Sequence, residues 1–295
     1  MWTIIRFNVF IPSSLNDALQ LMAKEDLGVV PMAGGTDLMV LIRDNVVRPR
    51  AVLDLWPLRK ELAFIKHEGR WIRIGALTTI EELCNSFLVR DYRYAGFSDM
   101  CSHFATPYIR TLATVGGNIG AAHPLSDAAI LLLTLDSEVK LASTRGERWM
   151  KLDKLFLGKR KLAKDPSELI TEIRFKEVPE NSSTALLKFD RRWGHSMGYV
   201  VVAAYTQIEN NVVRKIRIAF DSIGRPFPER ARKTEEFLRS RRLNEDVIKS
   251  VCSEILPKEM KRISDYRASA EYRLELSKVL LKRALLRIKS RIRGG

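Results

Sequence analysis

Glutamine is almost missing: 295 residues hold two, Gln20 and Gln207, against 50 Lys+Arg and 35 Asp+Glu. A charged-rich, glutamine-poor composition leans toward a thermophile. Cysteine is scarce, with only Cys84, Cys101 and Cys252. Their number is odd and their spacing wide, which excludes a disulfide framework and any zinc or iron–sulfur pattern. The expectation is three reduced, mostly buried thiols. No apolar run approaches the ~20 residues of a membrane span. The opening Met1-Trp2-Thr3-Ile4-Ile5-Arg6 lacks a secretory-signal pattern, so the cytoplasm is the expected compartment. Repeats and low-complexity segments are also lacking.

What remains is a globular composition. Hydrophobic residues make up 46% and charged residues 29%, which excludes a disordered polycation, and the length suggests two domains and allows three. The net charge is +15, and Arg225 to Gly295 carries 20 Lys+Arg against 10 Asp+Glu. That surplus has three readings: a nucleic-acid surface, a docking face for an acidic partner subunit, or a solvated helix face. Periodicity favours the last. Leu276, Val279, Leu280, Leu281, Ala284, Leu285 and Ile288 recur at spacings of three and four, with Lys278, Lys282, Arg283, Arg287 and Lys289 on the other side. Nucleic acid is therefore an unfavoured partner.

The pattern along the chain predicts a β–α–β start. A strand at 8–11 leads to a helix capped at Ser13 or Ser14 and ended by Gly28, then strands at 29–32 and 51–55. A hairpin is expected over 62–74, and a helix capped by Thr78 or Thr79 after it. Residues 114–127 look irregular and glycine-rich, and Asp127 is placed as the cap of a helix at 128–135. Strands are expected at 138–142 and 170–175. Past Pro179 come three strands (185–189, 199–209 and 212–219), with Asn210-Asn211 as a hairpin turn, and helices at 228–239, 244–256 and 266–291. The domain boundary is expected near Pro179–Asn181.

Two glycine turns carry the chemistry. In Pro31-Met32-Ala33-Gly34-Gly35-Thr36-Asp37-Leu38 the paired glycines let backbone N–H groups approach a ligand, which suits a phosphate or diphosphate. The turn is neither a P-loop nor G-x-G-x-x-G. Thr114-Val115-Gly116-Gly117-Asn118 repeats the pattern. Two such turns fit a diphosphate gripped from two sides, hence a dinucleotide without a Rossmann fingerprint. Asp127 has two compatible readings, a carboxylate accepting from sugar hydroxyls or a helix cap.

The two turns resemble the FAD-gripping loops of the flavin (medium) subunits of molybdenum hydroxylases, the group that includes carbon monoxide, aldehyde and xanthine dehydrogenases. Ile74-Gly75-Ala76-Leu77-Thr78-Thr79, Ile109-Arg110, Pro124-Leu125-Ser126-Asp127 and Arg267-Ala268-Ser269-Ala270-Glu271-Tyr272-Arg273 resemble family segments in the same order. The resemblance implies an α+β (mixed α/β) protein. Its FAD-binding domain of two subdomains, of the PCMH / CO dehydrogenase flavoprotein type, would span 1–178 (about 1–55 and 56–178). A smaller α+β domain with a three-stranded antiparallel sheet and helices would span 179–295.

It also implies roles. Residues 31–38 with Thr114, Gly116, Gly117 and Asn118 would hold the diphosphate and neighbouring groups of FAD, and Asp127 the sugar chain. Phe104 falls where the family touches the nucleotide. Ile170 would pack on the isoalloxazine or be plain core. Lys188 would lie at the flavin edge or be a strand lysine facing water. Ala121 stands where the family often has Asn or Thr, and His123 where Ser is common, as a cofactor contact or a local hydrogen-bonder. Trp193 and His195 are expected to border an acceptor entrance, with Ser196 replacing a common Asp. No cysteine run for a [4Fe–4S] cluster is present, and no metal ligand or acid–base group is assigned. The implied partners are a molybdenum-cofactor large subunit and a [2Fe–2S] small subunit, as a dimer of heterotrimers, with an external electron acceptor. The rivals are a self-contained flavoenzyme of related fold, a cofactor-free nucleic-acid binder, and a flavin scaffold without redox exchange.

Overall fold

A computed structural model describes residues 6–192, 197–221, 227–261 and 263–294. The chain packs as two units, each discontinuous in sequence. One takes residues 1–82, 107–122 and 138–175, and the other 83–106, 123–137 and 176–295. The sequence pattern divides the chain near residue 178, whereas packing assigns 83–106 and 123–137 to the unit that holds the C-terminal residues.

The first unit contains a small parallel sheet of β1 (Asn8–Phe10), β2 (Val29–Met32) and β3 (Ala51–Asp54), in the order β1-β3-β2. Helix Leu15–Met22 starts at Ser14, whose hydroxyl accepts from the Asp17 N–H. Its buried Ala18, Leu19 and Met22 join Leu53, Leu55 and Leu58 in one apolar cluster. This helix stops at Met22, and Gly28 closes a separate turn at Glu25–Leu27. A second sheet holds β4 (Ile65–Glu68), β5 (Trp71–Gly75), β6 (Glu138–Ser143) and β7 (Gly146–Lys151). A two-stranded ribbon follows, β8 (Phe156–Gly158) and β9 (Lys161–Leu162), then β10 (Leu169–Lys176). Strand β10 inserts into the second sheet, giving the order β4-β5-β10-β6-β7. The expected Thr79 cap is a reciprocal one. Thr79 Oγ1 accepts from the Glu82 N–H at 3.1 Å, and the Glu82 carboxylate accepts from the Thr79 N–H at 2.7 Å.

In the second unit β11 (Ser182–Phe189), β12 (Val200–Glu209), β13 (Val212–Asp221) and β14 (Glu229–Arg230) form an antiparallel sheet in that order. The three expected strands are there, with the two-residue β14 added at an edge. Asn210 and Asn211 have φ of 50° and 63°, the left-handed pair that a tight hairpin needs. Helix Asp127–Thr134 is buried along its whole length because it is apolar on every side. In helix Ala270–Gly294, Leu280, Leu281, Ala284, Leu285 and Ile288 are buried in the unit's core. Val279, expected in that stripe, is instead exposed. The helix expected over 244–256 divides into Glu245–Ser250, a wide turn at Val251–Ile255 and Leu256–Glu259. Pro257 sits at the start of the last piece and has no N–H to continue the ladder. Among the described residues, no helix is long and apolar enough to cross a membrane.

The expected three thiols are corrected. Cys84 and Cys101 form a disulfide, and only Cys252 is free. Burial pushes the Cys252 thiol up to about 11. The bridge links the end of helix Ile80–Cys84 to helix Gly96–His103, across 17 residues of sequence. Helix Gly96–His103 carries Asp99, which accepts from Arg291 at 2.7 Å and from the Leu186 N–H at 3.1 Å. Closing a loop of this length stabilises a protein by about 3 kcal/mol. Urea unfolding of the oxidised chain is expected to give an unfolding free energy higher by that amount than a Cys84→Ser/Cys101→Ser variant, and dithiothreitol should lower only the former.

Candidate functional site

The first glycine turn leaves β2 at Met32, whose carbonyl accepts from the Leu55 N–H at 2.9 Å. The chain then runs against the segment before the second turn. A Cβ on Gly34 would stand 1.7 Å from the Leu112 carbonyl oxygen, so only glycine fits. Gly35 has φ of 68°, and its carbonyl accepts from the Met39 N–H as helix Leu38–Arg43 begins. Among the described residues, the main-chain N–H groups of Gly34, Gly35, Thr36 and Asp37 donate to no protein acceptor. A row of unengaged N–H groups in a glycine turn suits an oxyanion such as a diphosphate. Pro31 and Met32 close β2, and the whole of 31–38 is half-buried.

The second turn differs from its sequence reading. Residues 115–120 form a short helix rather than an irregular segment, and Thr114 is its cap, with its hydroxyl accepting from the Gly117 N–H at 3.0 Å. The Val115 and Gly116 N–H groups donate to the carbonyls of Thr78 and Ala76 at 2.9 and 2.8 Å, and the Asn118 N–H donates to the Thr114 carbonyl at 2.9 Å. These donors are therefore engaged within the protein. Gly116 is glycine because a Cβ would lie 2.5 Å from that of Ala76. Gly117 faces the first turn, where its Cβ would come 3.6 Å from Ala33. The structure thus joins the two turns side by side, one whose donors are unengaged among the described residues and the other as its support. Ile170 approaches Gly120, 3.9 Å from where a Cβ would be, and is half-buried with Ala121.

Arg160, which the sequence did not single out, lies beside both turns. Its guanidinium donates to both Asp37 carboxylate oxygens, at 2.6 and 3.3 Å, and its N–H donates to the Ala122 carbonyl at 2.9 Å. The sequence signal was the basic tip Lys159-Arg160-Lys161 after Gly158, but strands of three and two residues give no periodicity to read.

The remaining residues belong to the second unit. Phe104 is buried just past helix Gly96–His103. His123 Nδ1 accepts from the Leu125 N–H at 3.0 Å, and its carbonyl accepts from the Ser126 hydroxyl at 2.9 Å, so it ties its own loop. Asp127 is not the helix cap. That position is Ser126, and Asp127 stands in the first turn and accepts from Lys188 Nζ at 2.9 Å. Lys188 does not face water either, for its side chain is 7% exposed. Burial works against its charge, but the carboxylates of Asp127, Asp221 and Asp190 outweigh burial and hold its pKa above the ordinary value. Trp193, His195 and Ser196 lie outside the described residues. In Arg267–Arg273, two arginines converge on Asp265, at 2.8 Å from Arg267 and 2.7 Å from Arg273. Among the described residues, no cluster of His, Cys, Asp or Glu is arranged to hold a metal ion.

A small parallel sheet, a five-stranded sheet and a glycine turn whose main-chain donors suit an oxyanion define a nucleotide-binding class of unit, and the second unit is an antiparallel sheet with helices. The chain belongs to the FAD-binding medium-subunit family of the molybdenum hydroxylases. Residues 5–178 match the FAD binding domain in molybdopterin dehydrogenase, and residues 185–288 match the CO dehydrogenase flavoprotein C-terminal domain. FAD is accordingly its cofactor, and its class is the oxidoreductase subunits. The chain is 30% identical to the glyceraldehyde dehydrogenase medium chain of Sulfolobus acidocaldarius, over 94% of this chain and 96% of that one. It is 29% identical to the nicotinate dehydrogenase FAD-subunit of Eubacterium barkeri, over 98% of each. A chain of the reconstituted CO dehydrogenase from Oligotropha carboxidovorans superimposes with a TM-score of 0.90, at 26% identity, covering 97% of this chain and 98% of that one.

Proposed function

We propose that the chain is the electron relay of a multi-subunit molybdenum hydroxylase. It takes electrons from the [2Fe–2S] clusters of a small subunit, fed by a molybdenum-cofactor large subunit, and delivers them to an external acceptor. The observation that carries this is the row of unengaged N–H groups at Gly34–Asp37, seated against the capped turn at Thr114–Asn118. The relatives support the partners, being named as medium chains or FAD-subunits of dehydrogenases.

The Gly34–Asp37 donors bind the FAD diphosphate. Thr114, Gly116, Gly117 and Asn118 act by holding the turn behind them, which is why their own donors are engaged inside the protein. Ile170 and Ala121 give a half-buried apolar border beside Gly120 for the ring system. The family resemblance assigns Phe104, His123, Asp127 and Lys188 to the cofactor as well. Lys188 keeps its proton at neutral pH because three carboxylates favour the charged form, and its ammonium holds the Asp127 carboxylate in place. The flavin, when bound, supplies two-electron acceptance and one- or two-electron release.

The purified chain is expected to be yellow, with FAD near one per chain by mass of the released cofactor. Mixing with reduced small and large subunits should bleach that absorbance. A colourless chain that takes up no FAD from excess would overturn the reading, and so would a flavin that its partners cannot reduce.

A further inference from the structure

We propose that Arg160 is a positioning residue for the cofactor: it neutralises Asp37 so that the turn carrying that carboxylate can accept a diphosphate. This rests on the FAD reading above and deepens it. Asp37 poses a difficulty for that reading. Its N–H is one of the four unengaged donors, yet its carboxylate places a negative charge in the same turn, next to the seat of a dianion. Like charges a few ångströms apart near a protein surface lower affinity by about 10- to 100-fold. Some group must cancel that charge without occupying the donors.

Arg160 meets that requirement. Its guanidinium takes both Asp37 oxygens, at 2.6 and 3.3 Å, a two-point contact that also fixes which way the carboxylate is held. The pair is partly shielded, with side-chain exposures of 27% for Arg160 and 43% for Asp37. The backbone under Arg160 is held to the same end. Its φ is 58°, a left-handed conformation that a non-glycine side chain adopts at a cost, and its N–H donates to the Ala122 carbonyl at 2.9 Å. Ala122 lies just past helix Val115–Gly120, so the β8–β9 tip is pinned to the segment that supports the donor turn. Gly158 pairs with Lys161, so Arg160 sits in a two-residue hairpin loop, where a left-handed residue is usual. The Ala122 contact and the ion pair then hold that tip in place.

The test is a FAD titration of the flavin-stripped full chain, read by quenching of flavin fluorescence. Wild type is compared with Arg160→Gln, Asp37→Asn and the double variant. Arg160→Gln is expected to weaken FAD binding by about 10- to 100-fold, because it leaves Asp37 charged and unpaired. Asp37→Asn keeps the main-chain N–H, and the double variant should bind FAD more tightly than Arg160→Gln and recover most of its loss, since the repelling charge is gone. Unchanged affinity in Arg160→Gln overturns the inference. So does a double variant as weak as Arg160→Gln, which would give the arginine only a role in holding the ribbon. If Arg160→Gln does not fold, by circular dichroism of the stripped chain, Arg160→Lys decides. It keeps the charge and should bind FAD within a few-fold, and a loss as large as 100-fold there overturns the inference. A wild-type chain that binds no FAD removes the underlying reading instead, so the two failures are distinguishable.

Discussion

A Lys188→Met variant is expected to lose about 3–5 kcal/mol of stability, the usual cost of breaking a buried ion pair by removing one partner. The side chains of Lys188 and Asp127 are 7% and 11% exposed, so the variant strands a carboxylate in an almost dry site. Methionine fills the space, and the loss therefore reports charge rather than a cavity. Asp127→Asn/Lys188→Met should regain part of it, because the carboxylate that Lys188 contacts directly is then uncharged. Urea midpoints of the three proteins check this, and a single variant as stable as wild type would refute it. The pH dependence has a definite sign. Lys188 has its pKa raised on folding, so its contribution is fully present below the unfolded value of about 10.4 and fades as pH rises through the folded one. The gap between wild type and Lys188→Met should hold through neutral pH and narrow only in alkali.

Gly34→Ala is the second large effect. A single methyl would have to stand 1.7 Å from the Leu112 carbonyl oxygen, and that neighbour is backbone, which cannot swing aside as a side-chain tip does. Overpacking of this kind costs about 1–3 kcal/mol and more when backbone must move. The expected outcome is a chain that retains no FAD, with a depressed unfolding midpoint. Gly35→Ala is the informative contrast. There the Cβ meets only Met32 Sδ and Met39 Cγ at 3.3 Å, and the penalty is chiefly the left-handed φ of 68°, about 1–2 kcal/mol. Flavin content and thermal midpoints of the two variants, measured together, separate collision from strain. Equal behaviour would contradict the geometry.

The glycine turns were legible because paired glycines stand just past apolar runs, a local signal. Their individual reasons were not. Sequence assigned all four glycines to ligand approach, whereas Gly34 and Gly116 are glycine because backbone and Ala76 crowd them, and the Thr114 turn consumes its donors internally. The Lys188–Asp127 pair spans 61 residues, and nothing local in either segment announces the other. Cys84 and Cys101 carried no pattern, since a spacing of 17 matches no framework. The strands at 138–143, 169–176 and 182–221 were found because β-branched and apolar residues dominate them. Strand β7, Gly-Glu-Arg-Trp-Met-Lys, is too polar to show an alternation. The basic C-terminal stretch is in part answered by its own carboxylates, as at Glu235 with Arg230 and Asp265 with Arg273.

The place of β10 governs how this protein emerges from a ribosome. It sits between β5 and β6, so two hairpins made earlier each wait with an unpaired edge until residue 176 is available. From Gly75 to Lys176 is about 100 residues, roughly 5–20 s of synthesis at ~5–20 residues per second. For that interval β5 presents open backbone to any passing strand, and β6 joins it once Ser143 has been added. The nascent chain is therefore most exposed to aggregation, and most in need of a holding chaperone, between the completion of β7 and the arrival of β10.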